Sequence, residues 1–468
     1  MAQVHASLPS SSLFIFPPSN EPQTLPPPPA GSTLSAPPIS LPASWYNDAL
    51  DVRVPITIAV VYAVTVSALN AYNRSRGNQP WAISKTRGFF WFVVAHNVFL
   101  AVYSGWTFVG MFNALQRSLV SPTGPTGLAG TVDSLCKLHG TSGLGNAIAY
   151  NTTLSGWISE SPSSILLSDA GTPFATDLGR LWNEGLAFYG WFFYLSKFYE
   201  VLDTAIILAK GKRSSTLQTY HHAGAMMCMW AGIRFMSPPI WMFVFVNSGI
   251  HALMYTYYTL TAFAVPIPTS LKRSLTTMQI IQFLVGASYA ALHSFVSYTI
   301  PVEVPVRIVP AASSTVSAVA ASATAAGIGS LVKKFLFRAA GEEGLAGNVE
   351  ATYSADQAAH QKPFHHGITG AQEFRTEYQT IPCIDTSGQT FAIWFNVLYL
   401  APLTVLFMRF FVRSYLRRTS KTAGKGVVGT KHEAIEQAGK DAYKGIERRV
   451  DRTTEMNGKA NGKVNGKH

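Results

Sequence analysis

The sequence predicts an all-α, multi-pass membrane protein with seven transmembrane helices, and three observations carry that expectation. Charged residues are only 13% of the 468 and hydrophobic ones 48%, where a soluble domain carries about 25% charged residues. Seven segments, at 53–72, 89–112, 184–208, 216–236, 240–263, 276–298 and 391–412, are apolar over helix-like lengths, and crossing a bilayer takes ~20 residues. Basic residues concentrate in alternate connections between them. The mean hydropathy is a modest +0.17, because polar ends and an internal insert dilute an apolar core.

Residues 1–43 are rich in Pro and Ser, with Pro26 to Pro29 consecutive. Such a stretch has little apolar surface to bury and reads as a disordered arm. The short apolar run from Leu13 to Phe16 lacks a basic flank and is too short for a signal-peptide core, so the first span is expected to direct insertion, without cleavage. The connections after spans one, three and five carry Arg74, Arg76, Lys85 and Arg87, then Lys210, Lys212 and Arg213, then Lys272 and Arg273. The positive-inside rule makes these cytosolic. An odd number of spans then puts the N-terminus in the lumen and the tail, beginning Arg413, Arg417 and Arg418, in the cytosol.

The loop at 113–183 becomes lumenal and contains Asn151-Thr152-Thr153, an N-glycosylation acceptor. The Ala, Ser, Thr and Val run at 310–329 would flip the tail if it crossed the membrane. It lacks large aliphatic residues and aromatic anchors, so it is read as part of a flexible lumenal insert at 301–380. The expected organisation is therefore an arm at 1–43, spans one to six within 50–300, the insert, span seven within 381–415, and a basic disordered cytosolic tail at 416–468. Of three cysteines, Cys228 falls in the fourth span, while Cys136 and Cys383 map to lumenal segments. An oxidising lumen favours a Cys136–Cys383 disulfide over two free thiols. The net charge of +12 comes without zinc-finger, RNP or helix-turn-helix patterns, so the basic residues are topology signals and no nucleic-acid partner is expected.

Ionisable residues inside membrane spans are costly and need a reason. In the third span Lys197, Glu200 and Asp203 lie ~10 to 20 Å from the cytosolic end at 1.5 Å per residue. Lys197, Glu200 and Thr204 share one helix face and can satisfy each other, either as a structural network or as the lining of a substrate cavity. The fourth span opens Gln218-Thr-Tyr-His221-His222. Gln218 can reach over both rings, and the imidazoles diverge by about 100°, so one can face a cavity while the other packs in the wall. In the fifth span Asn247, His251, Met254, Tyr255 and Tyr258 form one stripe; Met254 and the tyrosines also fit plain packing. Thr276, Gln279 and Gln282 repeat along the sixth and line a helix interface or a polar tunnel. No Gly-rich phosphate loop with Lys and no Ser nucleophile elbow is present. The histidines remain as the nucleophile or base near neutral pH.

Four motifs in this order, Lys197-x-x-Glu200-x-x-Asp203-Thr204, His221-His222, Asn247-x-x-x-His251-x-x-Met254-Tyr255-x-Tyr257-Tyr258 and Thr276-x-x-Gln279-x-x-Gln282, resemble the very-long-chain fatty-acid elongase family. His96-Asn97 and the stretch from Cys383 to Phe391 add to the likeness, which covers roughly 50–300 and 380–415. The resemblance implies an endoplasmic reticulum 3-oxoacyl-CoA synthase that condenses a long-chain acyl-CoA with malonyl-CoA, releasing CoA and carbon dioxide. It implies a seven-helix fold in which six helices enclose an acyl-chain tunnel. Catalytic residues would be His221, His222, His251 and Asn247; substrate-binding residues would be Lys197, Glu200, Asp203, Thr204, Gln218, Tyr255, Tyr258, Gln279 and Gln282. No metal or bound cofactor is implied; the partners are the two CoA substrates, membrane lipid, the reductases and dehydratase of an elongation cycle, and a second copy. The commonest form of the family's box begins with His, and Gln218 in its place resembles a fungal and algal subgroup that includes enzymes acting on polyunsaturated chains.

Two alternatives stay open on the residues alone. Membrane desaturases also carry Gln-x-x-His-His, within a di-iron site. Of the twelve histidines, His5, His139, His360, His365, His366, His432 and His468 lie in tails or lumenal segments, leaving too few ligands. A seven-span receptor or transporter would place its site near the midplane between internal repeats, and no repeat is evident.

Overall fold

The computed structural model describes residues 2–160, 167–305 and 374–422. The 310–329 run, the rest of the insert between 306 and 373, and the tail beyond 422 lie outside the described residues. The chain divides into two units, one of 1–301 with 378–468 and one of 302–377; the site lies in the first.

The first unit is mostly helical. In chain order its helices are α1 (Ala43–Ala49), α2 (Arg53–Ser75), α3 (Arg87–Ser118), α4 (Gly127–Cys136), α5 (Ala187–Tyr199), α6 (Val201–Ala209), α7 (Thr216–Arg234), α8 (Ile240–Met242), α9 (Ser248–Ala262), α10 (Thr269–His293) and α11 (Ser387–Thr422). Four of them, α2, α3, α10 and α11, are long and apolar enough to cross a membrane, which makes this a multi-pass membrane protein. The third and fifth predicted spans fall on more irregular helical stretches. The third is a wide π turn at Trp182–Leu186 followed by α5 and α6, which meet at Glu200. The fourth coincides with α7, and the fifth is α8 joined to α9 through a π turn at Phe243–Asn247. π turns interrupt helices at functional positions more often than elsewhere, and both lead into candidate site residues.

Starts follow local chemistry. Thr86 caps α3 by accepting from the Phe89 N–H at 3.1 Å, and Ser215 caps α7 by accepting from the Gln218 N–H at 3.2 Å, each satisfying an otherwise orphaned donor. The core joins Trp182, Trp191, Tyr194, Trp230, Ile233 and Leu403. Around it α3 packs on α9, α10 on α11, and α2, α5 and α11 on α7.

Two expectations are corrected here. The protein is not all-α. Strands β2 (His139–Gly140), β3 (Ala147–Asn151) and β4 (Gly156–Ser159) form an antiparallel sheet in the cap between α3 and α5, with His139 opposite Ile148 and Tyr150 opposite Trp157. A second sheet has the order β1 (Val4–Ala6), β5 (Val296–Pro305) and β6 (Phe374–Pro382), with Val4 opposite Tyr298. Strands therefore occupy both margins of the segment assigned to the insert, and α11 continues past 415. The strands of the first sheet, two to five residues long, leave no period long enough to read in sequence.

The Pro-rich arm is also ordered rather than disordered. Arg234 donates to the carbonyls of Asn20 and Pro22 at 2.6 and 3.0 Å, Thr24 Oγ1 donates to the Arg234 carbonyl at 2.7 Å, and Trp182 Nε1 donates to the Leu25 carbonyl at 2.9 Å. Proline-rich backbone has little conformational freedom to lose. Its carbonyls accept from the half-buried Arg234 and from the indole N–H of the buried Trp182.

The cap is fixed to the root of α11 by a Cys136–Cys383 disulfide and by Lys137, which donates to Asp385. Burial holds the Asp385 carboxyl above its ordinary range, against the pull of Lys137. Nearby, Arg180 is buried and donates to the Asp133 carboxylate at 2.7 Å and to the carbonyls of Thr141, Gly143, Asp133 and Lys137 at 2.9 to 3.3 Å. Tyr298 donates to the other Asp133 oxygen at 2.8 Å. Burial first, then the positive charge of Arg180, brings the His139 imidazole down to about 3.

Candidate functional site

The polar residues of α5, α6, α7, α9 and α10 converge. At the kink between α5 and α6, Lys197 Nζ donates to Glu200 Oε1 at 2.6 Å and to Asn247 Oδ1 at 3.4 Å, with the Phe193 ring 4.1 Å away. Asn247 Nδ2 in turn donates to Gln282 Oε1 at 3.4 Å, linking α5, the π turn before α9, and α10. His251 Nδ1 is buried 3.7 Å from Glu200 Oε1, beyond hydrogen-bond distance.

Asp203 serves a second centre. Its carboxylate accepts from Tyr255 Oη at 2.6 Å and pairs with His96 Nε2 at 2.8 Å, and His96 is 2% exposed in α3. Thr204 does not pair with Glu200. Its hydroxyl meets Tyr62 Oη of α2 at 2.9 Å and Gln218 Nε2 at 3.4 Å, because a helix that kinks at Glu200 turns its next face toward α2. Gln218 reaches one ring only, with Nε2 2.8 Å from His222 Nε2.

His221 turns the other way. Its Nδ1 lies 3.0 Å from Tyr399 Oη of α11. Its ring faces a mainly apolar cavity whose lining includes Phe193, Met229, Phe243, Phe283 and Leu400, together with Lys197, Asn247, Gln282 and Asn396. The two adjacent histidines thus occupy different surroundings, one on a cavity and one in a polar wall.

Other candidates lie further out. Gln279 donates to Met254 Sδ at 3.3 Å, an interface contact. Tyr258 is 42% exposed and touches the cluster through the edge of Tyr255, 6.0 Å between ring centres. Asn151 sits at the β3–β4 turn, where its side-chain oxygen accepts from the Thr153 and Leu154 N–H groups at 2.9 Å. Among the described residues, Cys136, Cys383 and His293 bring ligand-type atoms within 4.8 Å of one another, but the two sulfurs are bonded to each other.

Sequence reasoning left Tyr62, His96, Asn396 and Tyr399 out of the candidate site. His96 carried a signal, since the cost of an imidazole inside a span applies to it as it does to His221. The tyrosines carried none, because an aromatic residue in an apolar helix is ordinarily packing.

Comparison with known proteins decides the kinship. The profile of the family described as ELO: GNS1/SUR4 matches residues 49–423. The chain belongs to the ELO family. Among curated proteins it is similar to the human very long chain fatty acid elongase 3, 38% identical over 110 residues, 24% of this chain and 41% of that protein. It is 30% identical to fatty acid elongase 2 of Trypanosoma brucei over 123 residues, 26% of this chain and 45% of that one. Fatty acid elongase sre1 of Dictyostelium discoideum matches at 36% over 104 residues, 22% and 38%. The matched stretches thus span less than half the length of these ELO relatives. No solved structure matches.

Proposed function

We propose that this ELO protein is a fatty-acid elongase of the endoplasmic reticulum membrane, a 3-oxoacyl-CoA synthase condensing a long-chain acyl-CoA with malonyl-CoA. The observation that carries this reading is His221, which presents an imidazole to an apolar cavity beside Lys197, Asn247 and Gln282. An acyl chain needs apolar walls, and its thioester needs a nucleophile at their edge.

The Nε2 lone pair of neutral His221 attacks the thioester carbonyl, the new N–C bond replaces the C–S bond, and CoA leaves as thiolate. Malonyl-CoA then loses carbon dioxide, and the resulting enolate attacks the acyl-imidazole to give the 3-oxoacyl-CoA and restore His221. Asn247 and His251 bind the developing oxyanion, a role in which one donor contributes 10²–10³-fold. Lys197 receives the malonyl carboxylate, while Glu200, Asp203 and Thr204 position the helices around the CoA substrates through their bonds to Lys197, His96, Tyr255 and Tyr62. Gln218 holds His222 in the wall.

In this reading seven helical passages cross the membrane and six enclose the acyl tunnel, with Gln282 on its lining and Tyr255, Tyr258 and Gln279 behind it in the surrounding wall. The N-terminus and cap are lumenal, where oxidising conditions support the Cys136–Cys383 bond and Asn151 is open to glycosylation; the C-terminus is cytosolic. The acyl chain is long, and the Gln218 form of the box resembles that of a subgroup that includes enzymes acting on polyunsaturated chains. Reductases and a dehydratase process the product, and a second copy is the expected oligomeric partner.

The test is chemical. With labelled acyl-CoA and no malonyl-CoA, label should attach to the purified protein, vanish in His221→Ala and persist in His222→Ala. The reverse pattern would sink the assignment.

A further inference from the structure

We propose that Tyr399, on α11, is a positioning residue that fixes the tautomer of His221 with Nδ1 protonated and Nε2 free. This deepens the elongase reading and rests on it. A phenol has one proton to donate and lone pairs to accept with. Tyr399 Oη lies 2.9 Å from the backbone carbonyl of His221, which can only accept, so the phenol proton is committed there. The same oxygen is 3.0 Å from His221 Nδ1, and with its proton already placed it can only accept. Nδ1 must therefore carry a hydrogen, and the lone pair is left on Nε2. The opposite arrangement would set two acceptor oxygens 2.9 Å apart with no proton between them.

The surroundings hold the phenol in that position. The Tyr220 ring stacks on that of Tyr399 at 5.5 Å, and Tyr220 Oη donates to the Tyr399 carbonyl at 3.2 Å. Gly224 supplies the space: a Cβ there would fall 2.1 Å from the Tyr399 ring. The stretch Tyr220-His221-His222-Ala-Gly224 thus brings a nucleophile, a stacking ring and a slot for the phenol onto adjacent turns of α7. During acylation Nε2 becomes the acylated nitrogen and the imidazolium charge is shared with Nδ1–H, whose partner is the Tyr399 oxygen. The CoA thiolate leaves with the C–S electron pair.

The experiment compares single-turnover acyl transfer from labelled acyl-CoA to the purified full-length protein, without malonyl-CoA. Tyr399→Phe keeps the ring and its stack and removes only the oxygen. The acylation rate should fall about 10- to 100-fold, as when a functional histidine loses its orienting partner, with half-saturating acyl-CoA unchanged and the melting temperature retained. p-Aminophenylalanine at position 399 offers one N–H to the His221 carbonyl and a second to Nδ1, and its ring-conjugated lone pair accepts poorly, so it should leave the rate low. Gly224→Ala, which displaces the ring, should slow acylation similarly. A wild-type rate in Tyr399→Phe, or a slow rate that p-aminophenylalanine restores, overturns the inference. Label that survives His221→Ala instead overturns the underlying assignment of the nucleophile.

Discussion

Two buried polar centres in this protein are built to opposite rules. In the cap, Arg180 makes five hydrogen bonds with its five donor hydrogens, four to carbonyls and one to Asp133, whose other oxygen is taken by Tyr298. In the helical centre, Lys197 has one short bond to Glu200 and a long one to Asn247, Asn247 has a long one to Gln282, and His251 Nδ1 and Asn396 Oδ1 are buried without a partner. Buried polar groups are nearly always satisfied. Arg180 and Asp133 are saturated by the cap itself, with only His139 Nε2 unpaired close by among the described residues, whereas the helical centre keeps capacity that a substrate would use on the elongase reading proposed above.

Removing one member of each centre should separate them most strongly. Arg180→Leu leaves Asp133 buried with a lost counter-ion, and such breaks cost about 3–5 kcal/mol; thermal unfolding in detergent should show it, together with loss of the fold of the cap. Asn247→Ala should do the converse. Elongation by microsomes fed labelled malonyl-CoA should fall by about 10²–10³-fold, while the melting temperature moves little, because both of its bonds are 3.4 Å long. If Asn247→Ala unfolds the protein and Arg180→Leu does not, the distinction fails.

A third outcome concerns acid. His139 is held at about 3 when folded, against about 6.5 unfolded. The depressed value means its contribution is complete above pH 6.5 and is lost as pH falls toward 3, by about 2 kcal/mol at pH 5. His139→Gln should flatten the stability profile over that window, as read by unfolding at pH 7 and pH 5. The smallest effect is expected at Tyr62→Phe, which removes one buried bond to Thr204 and should cost about 1 kcal/mol. Gln218 keeps its contact with His222, so acyl labelling of His221 should persist.

The helices at 53–75, 87–118 and 216–234 and the residues of the four motifs were legible because apolar period and intramembrane charge are local signals. The partners of those residues were not. Asp203 finds His96 across 107 residues, and His221 finds Tyr399 across 178, separations at which no pattern in either segment specifies the other. The kink at Glu200 shows the same limit from inside one span. Ideal helical spacing pairs Glu200 with Thr204, and the bend sends Thr204 to Tyr62 instead. In the arm, composition suggested disorder because it counts apolar side chains, whereas the arm is held largely through backbone carbonyls offered to Arg234 and Trp182.

The tie between Cys136 and Cys383 joins residues 247 apart in sequence, and Cys383 N also bonds the Val296 carbonyl at 3.0 Å. The chain is thus re-indexed just before it enters α11. Whatever number of residues intervenes upstream, Tyr399 always starts the same count of turns from a fixed origin. Length can then drift between β5 and β6 over generations without changing the phase at which α11 delivers its phenol to α7.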